Sequence, residues 1–287
     1  MPSPKKAYLE ITNVCNLACA FCPGTKRKPK SLTREEFRFL ANRVRPWAQY
    51  LYFHLMGEPT AHPLLPDFLR DANVMGFRTV ITTNGTLLAR RGEALLAEDC
   101  RPYKISISLH AFEANDISVP FEDYISSCIA FAKDAAVRGT IAVLRLWNLD
   151  GRAEGAMNRK NEAVLAMLHD AFADNWVQTR SGYRLCDRVF LEWGEKFDWP
   201  ELSSPVLHET GFCYGLRDQI GVLCDGTVVP CCLDHEGDIP LGNLFEQAME
   251  EILQNPRAVA IYEGFKDHKA REELCRKCGY AHMKFGM

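Results

Sequence analysis

The chain has 287 residues, of which 47% are hydrophobic and 25% charged, with a formal net charge of −3. That length holds one large domain, or a medium one with a small companion, around a real core. The near-neutral balance excludes a nucleic-acid or membrane surface built on bulk charge, and no apolar run has signal-peptide or bilayer-spanning character, so the chain reads as cytoplasmic.

The elements alternate along the chain. Residues 7–12 read as a strand, and a helix running to about 45 starts from the capped stretch at Ser31. Strands at 50–55, 78–82, 103–109 and 141–147 alternate with helices near 65–75, before 103, at 121–137 and at 159–173, and a sixth strand lies near 187–193. Helices of that length suit parallel crossovers, and nearly continuous apolar strands suit a sheet covered by helices. Six such units are too few for a closed eightfold barrel. The expectation is an α/β fold, a partial (β/α)6 TIM-like barrel over residues 1–196, with ligands at the C-terminal ends of its strands. A small C-terminal α+β domain follows over 197–287, with a bridge at 197–212, a β-hairpin at 220–230 turning on Asp225-Gly226, and a helix at 244–254.

Of twelve cysteines, nine fall in three groups: 15, 19, 22; then 213, 224, 231, 232; then 275, 278. Grouping in a chain without a secretion signal favours metal ligation over disulfides. Cys100, Cys128 and Cys186 stand alone and read as buried small hydrophobes. In Cys15-Asn16-Leu17-Ala18-Cys19-Ala20-Phe21-Cys22, three thiolates can hold three irons of a [4Fe–4S] cluster and leave the fourth open, as a catalytic cluster requires. A buried helical face or a zinc site are the competing readings. The two asparagines at 13 and 16 and the preceding strand count against a helix.

This segment resembles the CxxxCxΦC signature of radical S-adenosylmethionine (SAM) enzymes, with Phe21 as the aromatic. The resemblance extends along the chain. Gly57-Glu58-Pro59 is similar to the family's GGEP motif, with Met56 in place of the first glycine, and implies a contact to the SAM amino group, made mainly by backbone. Ser106, Ser108, Arg145 and, more weakly, Asn84 match positions that imply contacts to SAM ribose and carboxylate. Cys213, Gly226 and Cys231, spaced C-x12-G-x4-C, followed by Cys275-Arg276-Lys277-Cys278, resemble SPASM and twitch auxiliary-cluster domains. The chain ends nine residues after Cys278, which implies one auxiliary [4Fe–4S] cluster on Cys213, Cys231, Cys275 and Cys278, with Cys224 or Cys232 as possible substitutes and a zinc ribbon as the rival.

The resemblance implies reductive cleavage of SAM to a 5′-deoxyadenosyl radical that abstracts hydrogen from a substrate, with a reductase such as flavodoxin or ferredoxin as partner. Peptide and small-metabolite substrates are both open. A start fifteen residues before the cluster leaves no room for a leader-peptide-binding domain and counts against ribosomal peptides. An RNA-modifying enzyme and a non-catalytic zinc or iron protein are the alternatives. The basic run Lys26–Lys30 reads as a solvated loop near the site mouth, His54, His62 and His110 are not assigned as acid or base, and Trp176, Trp193 and Trp199 read as serving the domain junction.

Overall fold

The computed structural model describes residues 4–115, 117–149, 159–173 and 175–285. In chain order the first half runs β1 (Lys6–Leu9), α1 (Arg34–Val44), β2 (Tyr50–Tyr52), α2 (Leu65–Val74), β3 (Arg78–Thr83), α3 (Leu88–Leu95), β4 (Lys104–Ser108), α4 (Phe121–Val137), β5 (Ile141–Leu149) and α5 (Arg159–Ala171). The rest comprises β6 (Val177–Thr179), β7 (Gly182–Cys186), β8 (Val189–Glu195), β9 (Gln219–Val222), β10 (Thr227–Val229), β11 (Gly242–Asn243), α6 (Met249–Gln254), α7 (Pro256–Lys266), α8 (Glu273–Arg276) and α9 (Gly279–Phe285).

A single sheet runs in the order β11-β10-β9-β1-β2-β3-β4-β5-β8-β7-β6. Strands β9, β1, β2, β3, β4, β5 and β8 are parallel along it, so β1 to β5 and β8 are the six strands of the expected partial barrel. The register is continuous: Tyr8 lies beside Tyr52, Tyr52 beside Val80, and Val80 beside Lys104. Alternation along β1 sends Ala7 and Leu9 into the helix-covered core and Tyr8 to the other face.

Local sequence explains the helices. Thr33 caps α1 and its N3 residue Glu36 reaches back, a complete capping box. Phe37, Leu40, Ala41 and Val44 then fall on one face and are buried. Phe37 stacks on Phe68 of α2 at 4.4 Å and meets Phe53 edge-on at 5.5 Å, which fastens two helices to the strand layer beneath.

Several expectations are corrected. The C-terminal hairpin continues the barrel sheet, because β9 pairs in parallel with β1. Its turn is longer than two residues: Leu223 N–H bonds Thr227 O, Gly226 N–H bonds Leu223 O, and Gly226 sits at φ +87°. A Cβ there would lie 2.5 Å from the Phe245 ring, so glycine is needed for space as well as for φ. The helix expected at 244–254 is only the six residues of α6, and Asn255 then caps α7, with Pro256 at its first position. The edge hairpin β6–β7 is short and mixed, with Val177, Gln178, Arg184 and Cys186 exposed but Leu185 buried, and gives little periodic signal. Cys100 and Cys128 are buried as expected, but Cys186 is exposed at that edge. Trp176 stacks on His169 at 4.0 Å, beside β6, far from the role expected of it, while Trp199 does reach the C-terminal region through an edge contact to His235.

Candidate functional site

The strand ends converge on the loop that leaves β1. Residues 13–22 are not helical, so the three cysteines are not one face of a buried helix. Asn13 closes the base of the loop: its amide NH2 donates to Lys28 O at 2.9 Å, its Oδ1 accepts from Lys30 N–H at 2.8 Å, and its own N–H bonds Lys30 O at 3.1 Å. Above that base Cys15 is exposed, and Cys19 and Cys22 are half-buried.

The Lys26–Lys30 run, expected to be a solvated loop, keeps Lys26 and Lys28 exposed but is tied down at its other two cations. Arg27 forks onto Glu10, with both bonds at 2.7 Å, and Lys30 pairs with Glu36 at 2.8 Å. Sequence reasoning passed over Glu10, whose identity as an acid in an apolar strand end was the available signal.

Gly57 and Glu58 pack against the start of the same loop. Glu58 N–H bonds Val14 O at 3.0 Å, and Gly57, at φ +75°, comes so close that a Cβ would lie 2.3 Å from Thr12 O. The Glu58 carboxylate is buried and accepts from Thr60 N–H (2.9 Å), Thr60 Oγ1 (2.6 Å), Thr83 Oγ1 (2.7 Å) and Asn84 N–H (2.7 Å). Burial holds its pKa above the usual carboxylate range despite those donors. With the side chain fully engaged, backbone is what this segment offers a ligand, and Pro59 begins the short 3-10 turn that fixes it.

Asn84 braces the cysteine loop rather than facing open space: its Nδ2 donates to Asn16 Oδ1 at 2.9 Å, and Asn16 in turn donates to Thr86 Oγ1 at 2.9 Å. Ser106 is fully buried on β4 and its hydroxyl lacks a partner among the described residues, as do Thr82 Oγ1 beside it and His54 Nδ1. Ser108 lies one turn of the pleat further on the same strand, beside Arg145. Arg145 pairs with Glu192 at 3.3 Å and lies over the Trp147 ring at 4.6 Å. The three histidines differ in setting. Burial lowers His54 to about 3 and His110 to about 4, leaving both imidazoles neutral, while both ring nitrogens of His62 are occupied by backbone.

The second cysteine set is assembled from three places. Cys213 follows the bridge, Cys231 follows β10, and Cys275 and Cys278 flank the end of α8. These thiols lie within electrostatic reach of one another, and burial raises all four, with Cys278 pushed up to about 11. Cys232 packs beside Tyr8 and is also close to this set. Cys224 turns away: its sulfur lies 3.9 Å from Arg27 Nη1, on the Glu10 side.

The donor chemistry fits iron–sulfur ligation. All the cysteines named here are free, and several sulfurs already receive N–H groups: Cys15 from Leu17 N, Cys19 from Asn115 Nδ2, Cys213 from Gly215 N and Cys278 from Ala281 N. Such donors stabilise ligating thiolates. Among the described residues, no three His, Cys, Asp or Glu side chains converge closely enough to grip a single ion; a [4Fe–4S] cluster takes one thiolate per iron and so spreads them apart.

Comparison with known proteins agrees with this geometry. Residues 9–136 match the profile of the radical SAM superfamily, and residues 213–279 match SPASM, an iron–sulfur cluster-binding domain. The tungsten-containing aldehyde ferredoxin oxidoreductase cofactor-modifying protein of Pyrococcus furiosus is 37% identical over 99 residues, which span 33% of this chain and 28% of that protein. The AdoMet-dependent heme synthase of Methanosarcina barkeri is 23% identical over 98% of this chain and 89% of its own length. BtrN in complex with AdoMet and 2-DOIA shares the fold, with a TM-score of 0.63 at 17% identity over 97% of this chain and 94% of that one. Streptococcus suis SuiB bound to S-adenosylmethionine superposes with a TM-score of 0.59 at 16% identity, over 96% of this chain and 72% of that one.

Fold and cysteine loop together mark residues 9–136 as a radical SAM region. The second cysteine set falls in the C-terminal match over residues 213–279, more particularly a SPASM iron–sulfur cluster-binding domain.

Proposed function

We propose that this chain binds a [4Fe–4S] cluster through Cys15, Cys19 and Cys22, cleaves SAM reductively there, and modifies a peptide or small metabolite with the help of one auxiliary cluster on Cys213, Cys231, Cys275 and Cys278. The observation that carries this reading is a cavity of about 780 Å³ lined by Phe21, Cys22 and Lys277, the last next in sequence to Cys278. A substrate in it would border Cys22 of the first thiol set.

When bound, the first cluster supplies one electron that breaks a sulfur–carbon bond of SAM, giving methionine and a 5′-deoxyadenosyl radical. The chain's own residues then have defined tasks. Gly57-Glu58-Pro59 presents backbone to the SAM amino group. Ser106, whose buried hydroxyl needs a partner, with Ser108 and Arg145, receives ribose and carboxylate. Asn84 holds the cysteine loop through Asn16. Residues 196–199 form part of the cavity wall, so we place the division between the radical SAM and SPASM regions at 196/197.

The substrate chamber is mixed in character, with Phe21, Phe197 and Trp199 for flat apolar surface and Lys196, Asp198 and Glu201 for charge. That lining suits a peptide segment or a polar metabolite better than RNA, because two of the four cations of the basic run are engaged by Glu10 and Glu36. Similarity to the PqqA peptide cyclase of Rhodopseudomonas palustris, 32% identical over 39% of this chain and 30% of that protein, supports the peptide class; the heme synthase supports the small-molecule class. We place the enzyme in the cytoplasm with a flavodoxin- or ferredoxin-type reductase as electron donor; among the described residues no helix is long and apolar enough to cross a membrane.

The test is Cys19→Ala in the reconstituted enzyme. It should abolish 5′-deoxyadenosine formation while leaving the iron of the C-terminal set in place. Normal nucleoside formation in that variant would overturn the assignment.

A further inference from the structure

Asn115 lies in the segment after β4, 96 residues from Cys19 in sequence, and no motif marks it. Its side chain nevertheless closes on the cysteine loop from above. Nδ2 donates to Cys19 Sγ at 3.1 Å and to Ala111 O at 2.7 Å, and Oδ1 accepts from Ala18 N–H at 3.1 Å. The adjoining backbone is joined too, with Ala20 N–H on Ala114 O at 3.3 Å.

The two backbone partners settle which way the amide faces. A carbonyl oxygen accepts only, so the atom on Ala111 O is the NH2; a backbone N–H donates only, so the atom on Ala18 is the oxygen. The group on the Cys19 sulfur is therefore a donor. Three other proposed ligand sulfurs receive backbone donors: Leu17 N on Cys15, Gly215 N on Cys213 and Ala281 N on Cys278. A side-chain donor to a ligand sulfur is a contact that one substitution removes, and Asn115→Asp would keep an acceptor for Ala18 N–H while losing that donor.

We propose that Asn115 sets the reduction potential of the cluster held by Cys15, Cys19 and Cys22, through its hydrogen bond to the Cys19 sulfur; this rests on the cluster assignment above. A hydrogen-bond donor draws negative charge from the thiolate and, through it, from the iron–sulfur core. Reduction adds one electron, taken from an external reductant, and makes or breaks no bond. The donor therefore favours the reduced form and holds the potential up. Asn115 is a positioning residue in this role, since it acts through Cys19 and is not part of the cavity lining.

The test is an EPR-monitored redox titration of reconstituted wild-type, Asn115→Ala and Asn115→Asp enzymes, following the signal that changes when SAM is added. Both variants should retain full iron and shift that midpoint to more negative potential, Asp further than Ala because it sets a carboxylate beside the thiolate. The auxiliary-cluster midpoint should stay put, and the Fe–S(Cys) stretching bands of the first cluster should shift in the resonance Raman spectrum. An unchanged midpoint in both variants at full iron content would overturn the proposal. Wild-type protein that assembles no cluster on the first three cysteines would overturn the assignment beneath it.

Discussion

Arg27 forks onto Glu10 with both guanidinium nitrogens 2.7 Å from a carboxylate oxygen, and the carboxylate is wholly buried. The same two oxygens accept Met56 N–H and Cys224 N–H, each at 3.2 Å. One side chain thus joins β1, the far limb of the cysteine loop, the backbone entering Gly57, and the turn of the SPASM hairpin. Removing one partner of such a pair leaves an uncompensated buried charge, which costs about 3–5 kcal/mol. Arg27→Met should lower the urea midpoint accordingly, and adding Glu10→Gln should recover part of the loss. Equal stability of Arg27→Met and wild type would show that the pair is solvated in solution.

Gly57→Ala introduces a Cβ 2.3 Å from Thr12 O and 2.9 Å from Val14 O, against backbone that cannot yield without moving Cys15. The residue also sits at φ +75°, where alanine is strained. We expect SAM affinity to fall by about tenfold or more, from misplacement of the amino-group contact relative to the loop. The iron of the C-terminal set should be unaffected. Equilibrium binding with iron analysis checks both halves of this expectation.

Cys224 and Cys232 differ in how they stand to the proposed auxiliary ligands. Cys224 faces Arg27, away from them, whereas Cys232 lies close to the set but packs against Tyr8. Cys224→Ser and Cys232→Ser should each keep the wild-type iron count, whereas Cys231→Ser should lose the auxiliary cluster. Loss of about four irons in Cys232→Ser would move the ligand set to that residue.

His110 is buried against Phe21, and its pKa is lowered to about 4 by burial. In the unfolded chain it titrates near 6.5. Between those values the unfolded state binds the extra proton, so stability falls as pH drops from about 6.5 towards 4, with a contribution of about 2 kcal/mol at pH 5. His110→Gln should flatten that part of the stability–pH curve measured by denaturation. The same acid slope in the variant would place the titrating group elsewhere.

Much of the architecture was legible because its signals are local. Apolar strands, amphipathic helices and a capping box at Thr33–Glu36 each declare themselves within a few residues, and the spacing of Cys15, Cys19 and Cys22 lies on a single loop. What escaped depends on meetings across the chain. Nothing near Arg27 in sequence announces Glu10, and a basic run reads the same whether it is solvated or strapped down. Asn115 gains its meaning from a sulfur 96 positions away. The separation of Cys224 from Cys231 shows only in space, where the Cys224 sulfur meets Arg27, 197 positions earlier in the chain.

The central claim is best tested on anaerobically purified, reconstituted protein, by quantifying iron, sulfide and zinc and then adding dithionite and SAM. The account predicts about eight irons per chain, matching sulfide, and release of 5′-deoxyadenosine. Zinc in place of iron, with SAM left intact, would contradict it and mark both cysteine sets as structural metal sites.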